Sequence, residues 1–418
     1  MIWDGILLPM SQQRAAHNNT VRHTAHGGGV ARFVGVFGRS PHALCSLVRE
    51  GYRHSIGAAL DRHFRNGRSG MPACLELNLS RRCNLRCVMC RQQRQPDKER
   101  VELSWYDPSR ELPLATWVNL LDQVRSFRPR LFVTGGEPLL YRQVTELLQE
   151  AKRRNFFVQL QTNGTMLDRM ADTVVALGVE VVNVSLDGPP GIHDTIRNHP
   201  GAYERTLQGI KALVDARRRL RRANPLLIIN CVVSKANLPY LDQMVPLAAG
   251  LHADIFQFQN PMWDSPENVA RHNALFSPAW VAERGLKVEL PSIGEAEYYQ
   301  HEFAPDDVAI LSATLHKARE QARGRLKLVV WPLSISDRLL PYYQDLNHPF
   351  PQGCSALWNA GIVLPDGTVS PCFHIVAGNI ARDRFADIWN GQVMQNLRKL
   401  VAQGLLPGCA RCCHRSFS

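Results

Sequence analysis

Three cysteines lie within eight residues of this chain, in the segment CNLRCVMC, at positions 83, 87 and 90. Steps of four and three residues bring side chains to one side of a helical turn. A structural zinc ion takes four protein ligands, usually as two CxxC pairs, and no fourth ligand stands nearby in the sequence. A cubane iron–sulfur cluster held by three thiolates leaves one iron atom free to bind another molecule. The spacing of Cys83, Cys87 and Cys90 therefore predicts an iron–sulfur cluster with one open position.

Four short motifs follow apolar segments further along the chain. They are GGEP (135–138), TNG (162–164), SLDG (185–188) and SKAN (234–237). In parallel α/β folds, functional groups gather at the carboxyl ends of the strands. We therefore expect these motifs to lie around the cysteines.

The elements that would position these motifs alternate regularly from residue 73 to residue 262. Apolar segments that predict strands cover 74–80, 130–135, 156–164, 179–188, 225–234 and 253–260. Segments of helical periodicity between them cover 115–127, 141–154, 166–178, 202–220 and 238–250. Strands separated by helices of this length pair in parallel, with the helices outside. The fold class predicted is α/β, with six strand–helix units.

The cysteine spacing after a first strand, together with the four motifs, resembles the radical S-adenosylmethionine (radical SAM) superfamily. The resemblance covers about residues 74–260 and implies a partial (β/α)6 barrel. It implies that Cys83, Cys87 and Cys90 ligate a [4Fe-4S] cluster whose open iron binds SAM. Reductive cleavage of SAM then gives a 5′-deoxyadenosyl radical that takes hydrogen from a substrate.

The resemblance also implies a set of residues that bind SAM. The glycine turn would approach the methionine amine of SAM. The polar groups after strands three to five would contact the carboxylate and ribose of SAM, and strand six would contact its adenine. The implied residues are Met89, Gly135, Gly136, Glu137, Pro138, Asn163, Ser185, Asp187, Asn237 and Gln257. Met89 departs from the family pattern, which usually has an aromatic residue there, but methionine can also pack on adenine.

A second group of cysteines lies near the carboxyl end of the chain. The segment LPDGTVSPC predicts a β-hairpin that turns at Asp366–Gly367, and a helix follows it. The pattern resembles the SPASM/Twitch extension of radical SAM enzymes, in its shorter Twitch form with one auxiliary [4Fe-4S] cluster. The implied ligands are Cys354, Cys372, Cys409 and Cys412, with Cys413 as the alternative to Cys412. A zinc knuckle on the same four thiolates is the competing interpretation.

The chain divides into four predicted parts. A basic extension with amphipathic helices covers 1–72, the barrel 73–262, a linker or insertion 263–350, and the cysteine-bearing β-hairpin/helix module 351–418. The helices of the extension are expected to pack against the core, with docking to a membrane or partner as the alternative. Cys45, Cys74 and Cys231 are expected to be ordinary buried residues.

Composition narrows the class of protein. The 418 residues are 45% hydrophobic, and no apolar run approaches the roughly 20 residues of a transmembrane helix. The start of the chain lacks a basic signal-peptide pattern, so the expected compartment is the cytoplasm, where thiols stay reduced.

The net charge of +12 is spread over several segments, which include 14–68 and the helix end 216–222. Nucleic-acid binding is therefore disfavoured, although a zinc-stabilised nucleic-acid-binding protein is the alternative from another class, distinguished by steep salt dependence.

The predicted function is a radical SAM reaction on an unidentified substrate. An auxiliary cluster would complete an oxidation, decarboxylation or bond formation, with flavodoxin or ferredoxin as electron donor. A SPASM-type maturase of ribosomal peptides is the alternative, disfavoured because 1–72 predicts at most one strand, at 30–37. The basic balance mildly favours an anionic substrate. Candidate substrate contacts are Trp105, Tyr106, Trp263, Asp264, His272 and His374.

Overall fold

The structure is a computed structural model, and it describes residues 41–90, 108–288, 303–331, 338–348, 353–372 and 375–412. Within these ranges no helix combines the length and the apolar character needed to cross a bilayer. The predicted strand at 30–37, Trp105, Tyr106, His374 and Cys413 lie outside the described residues.

One sheet runs through the described part of the chain. Its strands are β1 Cys74–Asn78, β2 Arg130–Thr134, β3 Val158–Thr162, β4 Val181–Ser185, β5 Leu226–Val232, β6 Ile255–Gln259, β7 Lys327–Trp331, β8 Ala360–Val363, β9 Thr368–Val369 and β10 Gly378–Asn379. Their spatial order is β10-β9-β8-β1-β2-β3-β4-β5-β6-β7. From β8 to β7 every neighbouring pair is parallel, so the carboxyl ends of these eight strands share one edge.

Helices connect and cover these strands. They are α1 Pro41–Tyr52, α2 Ala58–Phe64, α3 Leu114–Val124, α4 Val144–Arg153, α5 Leu167–Ala176, α6 Ile192–Arg197, α7 Ala202–Arg219, α8 Leu241–Gly250, α9 Pro266–Leu275, α10 Pro278–Glu283, α11 Pro305–Ala322, α12 Leu339–Gln344, α13 Ala356–Asn359, α14 Phe385–Trp389 and α15 Gln392–Gln403. A π-helical turn, Arg53–Gly57, joins α1 to α2. The inward faces of α3, α4, α5, α7 and α8 pack on the strands in one continuous core.

The predicted α/β class and the six parallel strands are confirmed. Strand β4 is buried along its whole length, as expected for a central strand with both faces covered. The segment 263–350 was predicted to be a linker or insertion with a helix at 306–324 and a strand at 325–332, and that strand is a seventh parallel strand of the sheet. Strand β7 pairs with β6, and α11 packs on α8, so this segment extends the core.

The carboxyl-terminal segment joins the other edge of the sheet. Strand β8 pairs in parallel with β1, and the predicted hairpin follows with Gly367 at φ +89°. The segment 385–409, predicted to be a single helix, contains two helices, α14 and α15, and α15 ends at Gln403. The break is at Gly391, where an added Cβ would lie 2.7 Å from the Asp387 carbonyl oxygen.

The helices α1 and α2 pack on the core through a largely polar face. Glu50 forms a buried ion pair with Arg130 at 2.7 Å, and Arg53 pairs with Asp61 at 2.7 Å. The opposite face leaves large apolar side chains exposed at four-residue steps: Val48, Tyr52, Ile56, Leu60 and Phe64. One face of these two helices therefore packs against the core as expected, whereas the apolar face does not. The expectation that Cys45 is buried was wrong, since it is exposed, whereas Cys74 and Cys231 are buried.

Candidate functional site

The three cysteines of CNLRCVMC line one pocket at the carboxyl ends of the strands. Its volume is about 210 Å³. Eight residues that the sequence predicted for the site line it: Cys83, Cys87, Met89, Cys90, Gly135, Gly136, Asn163 and Ser185. Five further lining residues, Leu85, Thr134, Gln161, Thr162 and Arg197, were not predicted. Three of these five stand at the ends of β2 and β3, next to predicted residues.

The glycine turn after β2 holds the segment that leads into the cysteine loop. The backbone N–H of Gly136 donates to Ser80 O at 2.7 Å, and that of Glu137 donates to Arg82 O at 2.8 Å. A Cβ at Gly136 would lie 2.4 Å from Arg82 O, and one at Gly135 would lie 2.6 Å from Ser80 O. The glycines are therefore required by a close approach of the cysteine loop, and two N–H groups of the turn are already bonded to it.

Glu137 is completely buried and is not part of the pocket lining. Its carboxylate accepts the Thr162 hydroxyl and the backbone N–H of Asn163, both at 2.8 Å, and the Leu139 N–H at 3.1 Å. Burial raises the pKa of Glu137 to about 7, although these hydrogen bonds oppose the shift. In this structure Glu137 joins the ends of β2 and β3.

Asn163 connects the end of β3 to the cysteine loop. Its side-chain amide donates to Asn84 Oδ1 at 2.9 Å, and Asn84 in turn donates to the Thr165 hydroxyl at 2.8 Å. The same amide lies 3.9 Å from Cys83 Sγ. Beside it, Gln161 donates to the Ser185 hydroxyl at 3.1 Å, which places two polar groups on the pocket wall.

Four predicted cofactor contacts besides Glu137 stand behind the pocket lining. Pro138 begins a buried turn, and Gln257 donates to Asn230 at 2.9 Å among the strands. Asn237 is fully buried, and its amide donates to Asp187 O and Val232 O, both at 2.8 Å. Asp187 is also fully buried and accepts the Val232 N–H at 2.9 Å. These contacts brace the loops that follow β4 and β5.

A short helix that the sequence did not predict closes the other side of the cysteine loop. The carbonyls at the end of α6 accept backbone N–H groups of the loop: Val88 to Ile196 O at 3.0 Å and Arg86 to Arg197 O at 3.3 Å. The Arg197 side chain lines the pocket and lies 3.7 Å from Cys87 Sγ. At six residues, α6 is too short to show a helical repeat of apolar residues. The polar and charged residues of the segment HDTIR (193–197) are the one sequence signal that could have indicated it.

Cys354, Cys372, Cys409 and Cys412 come together in a second group. Cys409 is buried in a separate apolar cluster, Cys354 and Cys372 pack against that cluster, and Cys412 is partly buried. Burial raises the pKa of Cys372 well above its ordinary value, and the nearby Cys409, Cys412 and Cys354 raise it further. Arg411, between two of these cysteines in sequence, donates to Tyr342 O at 2.8 Å and so fixes this group to α12.

Three predicted substrate contacts are placed by the structure, and all are buried. Trp263 and Asp264 follow β6, and Asp264 accepts the Ser265 N–H at 3.0 Å. His272 stacks on Phe276 with ring centroids 4.2 Å apart. These contacts are those of packed residues, and none of the three lines the pocket.

Two family models match the chain over the regions that carry the two cysteine groups. The radical SAM superfamily model matches residues 77–228, and an iron–sulfur cluster-binding domain, SPASM, matches residues 354–413. The chain belongs to the radical SAM superfamily. It is an enzyme of this superfamily with a SPASM domain, and the predicted resemblance is confirmed.

Relatives with known names span most of this radical SAM enzyme. An AdoMet-dependent heme synthase of Methanosarcina barkeri is 29% identical over 338 residues, which cover 78% of this chain and 85% of that protein. A PqqA peptide cyclase of Ruegeria pomeroyi is 26% identical over 322 residues, which cover 76% of this chain and 72% of that protein.

The fold resembles solved radical SAM structures. Streptococcus suis SuiB bound to S-adenosylmethionine superposes with a TM-score of 0.57 at 14% identity, covering 82% of this chain and 70% of that one. Identity at this level shows the fold alone.

Membership of the superfamily supplies the cofactors. The radical SAM domain binds SAM and a [4Fe-4S] cluster, and the SPASM domain binds auxiliary iron–sulfur clusters. The pocket fits the first of these by its donor set, since its described lining contains three cysteines and no histidine, aspartate, glutamate or fourth cysteine. Burial raises the pKa of Cys83 to about 11, so cluster assembly must release protons there.

A single metal ion and a cubane cluster require different arrangements of their cysteine ligands. In the described ranges, no three His, Cys, Asp or Glu side chains converge as ligands of a single metal ion would. A cubane cluster places each thiolate on a different iron atom, so its cysteines need not meet at one point.

Proposed function

We propose that Cys83, Cys87 and Cys90 hold the SAM-binding [4Fe-4S] cluster, and that the enzyme carries out an oxidative reaction on a substrate bound above it. The observation that carries this proposal is the convergence of the three cysteines with Gly135, Gly136, Asn163 and Ser185 on one pocket, whose described lining offers no fourth ligand. When bound, the cluster and SAM supply a 5′-deoxyadenosyl radical that abstracts hydrogen.

The chain's own groups would hold and orient SAM in this pocket. The Ser185 hydroxyl and the Gln161 amide face it and can bond to carboxylate or ribose oxygens. Met89 lies in the lining, where its thioether can pack on the adenine ring. Asp187, Asn237 and Gln257 would act from behind the lining, because they fix the strand ends that carry these contacts.

The auxiliary cluster would be ligated by Cys354, Cys372, Cys409 and Cys412. With four thiolates it would have no open iron, so we assign it electron transfer and not substrate binding. It would accept the electron that a substrate radical loses in an oxidation, a decarboxylation or a bond formation. Cys413 remains the alternative fourth ligand. The donor of the initial electron would be a reduced flavodoxin or ferredoxin in a reducing, cytoplasmic compartment.

Two substrate classes follow from the relatives. The similarity to the heme synthase favours a tetrapyrrole or another anionic small molecule, which suits the net charge of +12. The second candidate is a peptide, favoured by the similarity to the PqqA peptide cyclase. Residues 41–64 of the extension form helices and a π turn, and the described residues before β1 contain no strand.

The triple variant C83A/C87A/C90A tests the proposal. Anaerobically reconstituted protein should lose about half of its iron and all production of 5′-deoxyadenosine from SAM. The matched control is C74A, which removes a buried cysteine of β1 that lines neither cysteine group and should retain iron and cleavage. SAM cleavage by the triple variant at the wild-type rate would exclude the assignment.

The substrate class is tested by adding candidate substrates to the wild-type enzyme under dithionite. A true substrate should form product together with 5′-deoxyadenosine, whereas a non-substrate leaves only slow uncoupled cleavage. Tetrapyrroles and precursor peptides are compared in parallel. Coupling to peptides alone would exclude the small-molecule assignment.

A further inference from the structure

A buried cation lies against one of the cysteines of the SAM-binding pocket. Arg197 is 7% exposed, and its guanidinium Nη1 lies 3.7 Å from Cys87 Sγ. Its Nη2 lies 2.6 Å from Asp187 Oδ2, a carboxylate with no exposed surface. Arg197 thus connects a cysteine sulfur of the pocket to a buried carboxylate.

Three features of the fold hold this arginine in place. Asn198, with φ +50°, ends α6 directly after Arg197. The last carbonyls of α6 accept the N–H groups of Arg86 and Val88, so the helix end and the cysteine loop form one unit. Asp187 is held in turn by the Val232 N–H at 2.9 Å. The guanidinium therefore cannot move away from Cys87 without breaking a buried ion pair.

The charges of this group act where water screens them little. A guanidinium stays protonated inside proteins, so Arg197 keeps its positive charge beside Cys87 and Asp187. A fixed positive charge and an N–H donor at a ligand sulfur both stabilise the more negative state of an iron–sulfur cluster. A neighbouring carboxylate has the opposite effect.

We propose that Arg197 raises the reduction potential of the cluster held by Cys83, Cys87 and Cys90, and that Asp187 limits this increase. The inference rests on the proposed function, because it requires the cluster to sit on these cysteines. It assigns Arg197 as a tuning residue that acts through the sulfur of Cys87. The cluster would thereby be easier for a flavodoxin or ferredoxin to reduce.

The test measures the potential of this cluster in the full-length reconstituted protein without SAM, by redox titration followed by electron paramagnetic resonance. The variants are R197Q and D187N, and the auxiliary cluster serves as internal reference. R197Q should shift the potential to more negative values, by about 59 mV for each tenfold fall in the one-electron equilibrium constant. D187N should shift it to more positive values, because Arg197 then lacks its counter-charge.

A matched control separates charge effects from loss of stability. Arg217 and Asp254 form another buried ion pair at 2.8 Å, and Arg217 also donates to the Pro225 carbonyl, at the ends of the strands opposite the pocket. R217Q should destabilise the fold comparably and leave the potential unchanged. The double variant R197Q/D187N removes both charges of the first pair and keeps the proposal testable if R197Q alone fails to fold; it should lie between the two single variants.

Each outcome has a separate meaning. Opposite shifts in R197Q and D187N support the inference, whereas an unchanged potential in both overturns it. Loss of SAM affinity in R197Q with an unmoved potential would also overturn it and make Arg197 a SAM ligand. If the C83A/C87A/C90A protein retains the titrated signal, the cluster lies elsewhere, and the proposed function itself has failed.

Discussion

The backbone N–H of Asn163 donates to Oε2 of Glu137 at 2.8 Å, and this bond joins the ends of two neighbouring strands beneath the pocket. The same carboxylate accepts the Thr162 hydroxyl at 2.8 Å. Two motifs that lie 25 residues or more apart in the sequence are thus held together by one buried side chain. Its pKa, raised by burial to about 7, makes this contact sensitive to pH.

We expect Glu137 to reduce stability as pH rises. Its pKa in the folded chain, about 7, exceeds the ordinary 4.5, so its stabilising contribution is complete below about pH 4.5 and lost as pH rises through 7. The difference corresponds to a free energy on the order of 3 kcal/mol. Urea unfolding of the cluster-free chain at pH 5 and pH 7.5 measures it.

In E137Q this part of the pH dependence should disappear, because an amide does not titrate. E204Q, which alters an exposed glutamate, should retain the wild-type dependence. Equal pH dependence in E137Q and the wild type would contradict the assignment of the raised pKa to this residue.

Gly136 is expected to be indispensable for the cysteine loop. Crowding of SAM alone would leave iron content intact, but an added Cβ would lie 2.4 Å from Arg82 O and 2.8 Å from Arg81 O. G136A should therefore displace the loop, cost about 1–3 kcal/mol and reduce iron at the first cluster along with SAM binding. Iron content per chain and SAM affinity are the measurements.

The matched control is G250A, since a Cβ at Gly250 meets no atom within 4 Å. This variant should keep both iron and SAM binding. Full iron content in G136A would show that the loop can move aside without losing its cluster.

Arg411 should support the auxiliary cluster selectively. It is 2% exposed, donates to Tyr342 O at 2.8 Å, and lies over the rings of Trp263 and Tyr342 at 5.3 and 5.2 Å. R411M keeps the apolar stem but leaves buried carbonyls without this donor, at a cost of about 1–3 kcal/mol. Iron at the auxiliary site should fall while the SAM-binding cluster remains, as paramagnetic resonance of the reduced protein can show.

The matched control is R398M. Arg398 is likewise fully buried, stacks on Trp389 at 4.5 Å and donates to Leu357 O at 2.8 Å. R398M should lower stability but should affect the auxiliary cluster less than R411M does. The reverse order of the two variants would contradict the role given to Arg411.

The auxiliary cluster should be dispensable for SAM cleavage and necessary for oxidised product. C409A/C412A removes two proposed ligands and leaves the pocket at the strand ends unaltered. The variant should still form 5′-deoxyadenosine but no oxidised product, which paired quantitation of both compounds under dithionite would reveal. Undiminished product would show that the carboxyl-terminal module, 351–418, serves folding and not electron transfer. Tetrahedral zinc detected in this module by X-ray absorption would show the same.

The pattern of apolar residues along the sequence determined most of the fold. Strands such as β4 are rich in valine because both faces are buried, and helices such as α4 repeat apolar residues at helical spacing. These local signals give the parallel order and hence one shared edge. The spacing of Cys83, Cys87 and Cys90 needed no tertiary information either, because it acts within one loop.

Tertiary structure decided which predicted residues reach the pocket. Glu137 and Asn237 belong to the right motifs, yet their side chains satisfy buried backbone groups, and a sequence motif does not specify the direction of a side chain. Arg197 lies 110 residues from Cys87, on a helix too short to show a period. Its meeting with that sulfur depends on the packing of α6 against the cysteine loop, and contacts between distant segments arise only when the whole sheet has formed.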